Sequence, residues 1–178
     1  MTIASWPPEA TVADAASRIA GGPARMGPRL RALLELCPPE DAVADIGSGH
    51  GRLALELKRQ SPQRRVYATE INLGPSSELR RLLGSASGVE ILEGEGLAPL
   101  AGLDFRGAVI AGLGGGSIAQ MLERDAAIAR SLKWLCLQPA QRVARLQSWL
   151  EEAGWIVREQ RQVAERARLY QTFLVTPK

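Results

Sequence analysis

A single histidine, His50, stands in 178 residues, which excludes any multi-histidine metal centre. The two cysteines, Cys37 and Cys136, lie far apart in the chain with no Cys-x-x-Cys spacing. That argues against a disulfide framework and against a cysteine-based zinc site, and it fits a reducing cytoplasm. No metal is expected. No apolar run approaches the ~18 residues that a membrane span requires. The first 20 residues contain Glu9 and Asp14 and lack a basic stretch followed by an apolar block, so no secretory signal and no membrane contact are expected. Lysine is almost missing: of 22 basic residues only Lys58, Lys133 and Lys178 are not arginine. Arginine suits bidentate phosphate contacts, although a coding bias that also enriches Ala, Gly and Pro accounts for the excess equally well. The net charge of +3 is compatible with a polyanionic partner without requiring one. Hydrophobic and charged fractions of 46% and 23% are ordinary for a globular protein, and the length fits one domain.

Residues 1–27, with Pro7-Pro8 and Gly21-Gly22-Pro23, read as a loosely ordered leader holding one short helix at 12–19. Residues 28–178 form the domain. Leu30, Leu33 and Leu34 give residues 28–36 the period of a helix, which Pro38-Pro39 ends. The chain then alternates. Strands are expected at 42–46, 65–70, 89–92, 108–111 and 134–137. Helices fall between them: one ending before Pro62, one at 76–83 with Gly84 as its cap, one at 117–130 and one at 142–153. Residues 155–163 and 168–175 are both strand-like and separated by four residues, a hairpin rather than another crossover unit. The expected fold is α/β, a Rossmann-like sheet that is mostly parallel with an antiparallel last strand.

The most informative stretch is Val43-Ala44-Asp45-Ile46-Gly47-Ser48-Gly49-His50-Gly51. An apolar strand runs into Gly-x-Gly-x-Gly and a helix follows at once. Gly47 and Gly49 permit a tight turn and close approach of a ligand. Asp45, at the strand end, is expected to face the crevice outside the sheet, where ligands of open α/β sheets bind. The third glycine comes one residue too early for the dinucleotide fingerprint, and no Gly-Lys-Ser/Thr follows for a phosphate loop. An acid just before the loop disfavours a pyrophosphate and favours a cationic or zwitterionic ligand. The pattern D-x-G-x-G-x-G resembles the first motif of class I S-adenosylmethionine-dependent methyltransferases. Glu70, ending the second strand, is then either the acceptor of both ribose hydroxyls of an adenosyl group or a solvated strand end. Glu95 and Gly96, after the third strand, either meet the adenine or form a polar turn. The fourth strand ends in Ala111-Gly112-Leu113-Gly114-Gly115-Gly116, either a backbone wall for a flat base or a simple strand-to-helix turn. It is not the Asn/Asp-Pro-Pro-aromatic motif of amino-methylating enzymes.

Five blocks in order resemble the bacterial tRNA (adenine-N1)-methyltransferases that act on adenosine 22 of tRNA (TrmK-like). Residues 43–51 resemble V-A-D-I-G-S-D-H-G/A. Glu70-Ile71-Asn72-Leu73-Gly74-Pro75 resembles an acidic-x-x-x-G-P block, and Gly94-Glu95-Gly96-Leu97 resembles G-D-G-L. Residues 110–115 resemble I-A-G-M-G-G, and Leu137-Gln138-Pro139 with Trp149-Leu150 resembles L-Q-P followed by R-x-W-L. Two departures stand out. Gly49 occupies the place of the family's aspartate before the histidine. The sequence ends at Lys178, where the family continues into a helical coiled-coil extension. The resemblance implies S-adenosylmethionine as cofactor, held by Asp45, Gly47, Ser48, Gly49, Glu70, Ile71, Glu95, Gly96 and Ala111. It implies tRNA as partner, with Arg18, Arg25, Arg29, Arg31, Arg142 and Arg145 as candidate phosphate contacts. His50, Asn72, Gly112 and Gly114 are the candidates nearest the reacting atoms, and His50 reads equally as a helix-start cap. Ring N1 of adenine carries a lone pair at neutral pH, so alignment matters more than a catalytic dyad. Two rivals remain: a methyltransferase for a small molecule or another RNA, and a cofactor-binding protein without activity.

Overall fold

The computed structural model describes residues 26–40, 42–71 and 88–178. The expectations for residues 12–19 and 76–84 lie outside the described residues. The order begins with helix α1 (Pro28–Leu36), strand β1 (Ala42–Ile46), helix α2 (Arg52–Gln60), strand β2 (Arg65–Glu70) and strand β3 (Val89–Glu93). Strand β4 (Gly107–Ala111), helices α3 (Gly115–Arg124) and α4 (Ala126–Ser131), strand β5 (Trp134–Gln138) and helix α5 (Val143–Glu152) follow. Strands β6 (Trp155–Glu165) and β7 (Arg168–Pro177) close the chain. They form a seven-stranded sheet in the order β3-β2-β1-β4-β5-β7-β6. The first five strands in that order run parallel. β7 pairs antiparallel with β5, and β6 antiparallel with β7.

The two-residue period of the strands divides the core. Ala42, Ala44, Ile46, Ala108, Ile110, Leu135 and Leu137 point to the face covered by α3, α4 and α5. They meet Ile118, Leu122, Leu146 and Leu150 there. Val43, Val66, Val109, Trp134 and Cys136 point to the other face, against Leu33, Leu34 and Leu36 of α1 and Leu53, Ala54 and Leu57 of α2. Both faces of the parallel strands are buried, which is why they read as near-continuous apolar runs. The two distant cysteines meet on the second face. Cys37 caps α1, and its thiol contacts that of Cys136 in β5. Burial first, and this contact second, push the Cys136 thiol well above its ordinary range. No helix among the described residues is long and apolar enough to cross a membrane, and none of their acidic, histidine and cysteine side chains cluster as a metal site needs.

The single helix expected at 117–130 is two. Asp125 caps the end of α3 and starts α4. Its carboxylate accepts from Leu97 N–H at 2.9 Å and pairs with Arg124 at 2.8 Å, and that guanidinium holds its carboxyl below the usual range. The chain is drawn out of helical register to reach a loop distant in sequence, which local periodicity does not reveal.

The β6–β7 turn is equally hidden. Arg166 and Ala167 carry φ of 47° and 57°, the left-handed pair that a two-residue hairpin requires and that Asn-Gly adopts most easily. Replacement Ala167→Gly relieves this at the cost of a more flexible unfolded chain. We expect a net gain of about 0.5–1 kcal/mol, read as a higher urea midpoint at unchanged slope.

Candidate active site

Four parallel strands, β2, β1, β4 and β5, end along one rim, and the loops that follow them build the site. At its centre Asp45 closes β1. The side chain is 3% exposed, and its Oδ2 accepts from Ser48 Oγ at 2.7 Å and from Ala54 N–H at 3.1 Å. The expected orientation toward the crevice is therefore corrected. Strand alternation turns Asp45 to the α2 side, under the glycine loop, where it fastens the loop and the first turn of α2 to the strand. Burial, with Glu70 adding repulsion, raises its pKa to about 6 against the two hydrogen bonds.

The loop it holds is left-handed three times. Gly47, Gly49 and Gly51 have φ of 67°, 55° and 71°. Ser48 N–H donates to Thr69 O of β2 at 2.9 Å, and Gly49 N–H to Glu70 Oε2 at 3.0 Å. Glu70 also accepts from Ile71 N–H through Oε1 at 3.0 Å and is 8% exposed. Thus β1, β2 and the loop converge on two carboxylates that feel each other. At Gly47, Gly49 and Gly112 (φ 83°) an added Cβ would meet nothing within 4 Å among the described residues. These backbones face open space, the condition for a ligand to lie against them.

The β4 end is braced by the β5–α5 loop. Gly112 N–H donates to Gln138 O, Ala140 N–H to Leu113 O and Gly115 N–H to Gln141 O, at 3.1, 2.8 and 2.8 Å. The glycine run proves mixed. Gly115 is there for packing, since a Cβ on it would overlap the Arg142 carbonyl oxygen. Gly112 faces open space beside Ala111 at the strand end, whereas Gly114 packs against Gln141 and Ser117. Buried Gln138, missed as a functional candidate, donates to Arg29 O at 3.1 Å and Thr172 Oγ1 at 2.7 Å, tying α1 and β7 to the end of β5. Its signals in the sequence are an amide closing an apolar strand and its place in the Leu137-Gln138-Pro139 block.

The other candidates fall as follows. His50 is exposed at the loop tip and Ile71 is exposed beside Glu70. Gly96 is buried with its carbonyl bonded to Thr69 Oγ1, and Glu95 pairs with Arg124 at 2.5 Å. Glu95 would have to leave this pair to meet a nucleobase. Arg29 stacks on Tyr170, 5.2 Å from the ring centre, and its N–H donates to Glu165. Arg31, Arg142 and Arg145 are exposed, Arg142 with φ 56° at the start of α5. Asn72, Arg18 and Arg25 lie outside the described residues.

A profile for a methyltransferase domain matches residues 26–173. The chain belongs to the methyltransferase-domain family. It is 43% identical over 79 residues to the release factor glutamine methyltransferase of Moorella thermoacetica, covering 42% of this chain and 28% of that protein. It is 26% identical over 153 residues to the tRNA (adenine(22)-N(1))-methyltransferase of Bacillus subtilis, covering 84% and 64%. The chain thus spans less than two thirds of either relative. A Streptococcus pneumoniae structure described as a candidate tRNA (m1A22) methyltransferase, in complex with S-adenosyl-L-methionine, superposes with a TM-score of 0.78. That match has 25% identity and covers 84% of this chain and 72% of that one.

The raised pKa of Asp45 has a definite sign. An acid that holds its proton more tightly when folded contributes most stability below its unfolded value and loses that contribution as pH rises through the folded one. In Asp45→Asn the amide oxygen can accept from Ser48 and Ala54 without the charge. We expect wild type to lose about 1–1.5 kcal/mol relative to Asp45→Asn between about pH 5 and pH 8, measured by denaturant unfolding of the ligand-free protein.

Proposed function

We propose that the protein transfers a methyl group from S-adenosylmethionine to N1 of an adenine in tRNA. The observation that carries the reading is the crevice itself. Two neighbouring carboxylates, Asp45 and Glu70, stand beneath a left-handed glycine loop whose backbone faces open space. Such a site suits a ligand with a cationic centre and hydroxyl donors, and it repels a pyrophosphate. S-adenosylmethionine has both features, and the Streptococcus structure that this chain resembles contains it. Glu70 would accept from the ribose hydroxyls, Gly47 and Gly49 would admit the amino-acid end, and Asp45 would act as a positioning residue through Ser48 and the loop.

Bound there, the cofactor supplies a methyl group already activated for transfer. What the protein adds is alignment and exclusion of water. Gly112 would let a flat base lie close to the strand end. Residues 111–116, Ala-Gly-Leu-Gly-Gly-Gly, offer no side chain to grip an exocyclic amine or a side-chain amide. This favours a ring nitrogen and speaks against the glutamine chemistry named for the Moorella relative, whatever the local identity. The tRNA assignment draws on the named activity of the Bacillus relative and on the exposed arginines of the rim, Arg31, Arg142 and Arg145, with Arg29 behind them.

Labelled methyl transfer to bulk tRNA, followed by nucleoside analysis, tests the activity, and 1-methyladenosine is the expected product. Label that stays with the protein or enters only small acceptors would overturn it. Glu70→Gln should weaken S-adenosylmethionine binding about 10- to 100-fold, since a charged acceptor contributes ~1.5–3 kcal/mol, and calorimetry reads this directly.

Gly49 stands where the resembled enzymes carry aspartate. Its φ of 55° lies in the left-handed well that aspartate tolerates better than most residues, and a side chain there meets open space. Gly49→Asp should therefore fold. If the aspartate orients the base, turnover on tRNA should rise several-fold with cofactor affinity unchanged, because the gain lies in the transition state. Lost activity in a folded Gly49→Asp protein would show that this position does not orient the base here.

A further inference from the structure

On the amino-terminal side of the sheet, Arg65 and Arg106 both pair with Asp104 at 3.3 Å, and Lys133 pairs with Glu40 at 3.2 Å. These residues lie at the start of β2 or just before β1, β4 and β5. At the opposite end the β6–β7 hairpin continues past the sheet. Phe173 pairs with Leu137 near the end of β5, and Thr172 reaches Gln138, the last residue of that strand. Residues 168–171 of β7 therefore run beyond the rim by roughly 10–14 Å, at about 3.4 Å per residue.

The tip carries Arg166 and Arg168, both exposed and without an ion-pair partner among the described residues. Arg168 lies directly across from Glu165, but that carboxylate accepts from Arg29 N–H at the start of α1. Leu169, 62% exposed, completes the tip. The tip is also fixed in place. Gln138 and Thr172 join β5 to β7, and Tyr170 lies under Arg29. Arg166 itself adopts a left-handed conformation that glycine or asparagine would adopt with less strain. A pair of exposed guanidinium groups with no ion pair among the described residues, on a braced arm set well outside the crevice, is of no use to a small methyl acceptor seated inside it. It suits a polyanion whose backbone passes over the rim while one base enters.

We infer that the β6–β7 hairpin tip, through Arg166 and Arg168, is a phosphate-contacting arm for an RNA substrate. The inference rests on the tRNA reading above and adds a binding element to it. Because both side chains are exposed and unpaired, the double variant Arg166→Ser/Arg168→Ser should fold as wild type, checked by thermal midpoint. Filter binding and steady-state methyl transfer with bulk tRNA, each run between about 50 and 200 mM salt, provide the measurement. The variant should raise KM for tRNA with kcat and S-adenosylmethionine affinity unchanged. The slope of log K against log salt should fall by ~0.7–0.9 for each phosphate-binding arginine replaced, so by about 1.5 for the pair. Arg65→Ser/Arg106→Ser removes the same charge from the opposite edge and should leave KM and slope at wild-type values. If wild type binds and methylates tRNA but the hairpin variant keeps the wild-type slope and KM, the arm is refuted and the tRNA reading stands. An equal weakening in both double variants would likewise refute the arm, since net charge alone would then explain it. If wild type neither binds nor methylates tRNA, the tRNA reading fails and the arm with it.

Discussion

The Asp45 carboxylate is the point through which strand, loop and helix are joined. One oxygen takes both the Ser48 hydroxyl and the Ala54 N–H. The loop between those two donors is left with no freedom to collapse onto the rim. Its other tether, Gly49 N–H to Glu70, fastens it to the neighbouring strand. Three left-handed glycines supply the backbone path, yet glycines alone leave a chain floppy. The buried acid converts permissive residues into a fixed cradle. That arrangement costs desolvation of a carboxylate beside a second carboxylate, which is why its pKa sits near 6 in the ligand-free protein. A cationic ligand in the crevice would offset part of that cost, so the local strain is greatest before the ligand arrives.

Much of this architecture is legible in the residues. Apolar runs bounded by glycine and proline mark the parallel strands to within a residue or two, because strands buried on both faces admit little else. The glycine loop announces the rim, and the acid before it announces a cationic ligand. Two features stay out of reach because each depends on a partner distant in sequence: the break at Asp125 is set by Leu97, and the contact of Cys37 with Cys136 by the packing of α1 on β5. The inward turn of Asp45 follows instead from strand alternation and its nearby donors Ser48 and Ala54.

The glycines illustrate the same limit. Gly112 and Gly115 look alike as letters in a run. One faces open space and the other lies beneath the Arg142 carbonyl. Packing of α3 on α5 requires the second, and only the first belongs to a ligand. A glycine run in sequence therefore overstates the wall available to a base, and the part facing open space narrows to Gly112.

Net charge hides a sorted distribution. A value of +3 is too small to identify a polyanion-binding protein. Position carries the information that the sum does not. At the edge before the strands Arg65 and Arg106 share Asp104, and Lys133 pairs with Glu40. The centre of the opposite edge is negative at Asp45 and Glu70, while the arm outside it is positive at Arg166 and Arg168. A methyl donor with a sulfonium and an acceptor with a phosphate backbone make opposite electrostatic demands within one site. They can be met together only if the two signs are held at different distances from the crevice. The hairpin overhang beyond β5, together with the strands between β1 and β7, holds Arg166 and Arg168 farther from Asp45 and Glu70 than a Debye length of about 8 Å. On the function proposed above, the β6–β7 hairpin beyond β5 would let an acidic crevice and a basic arm share one rim.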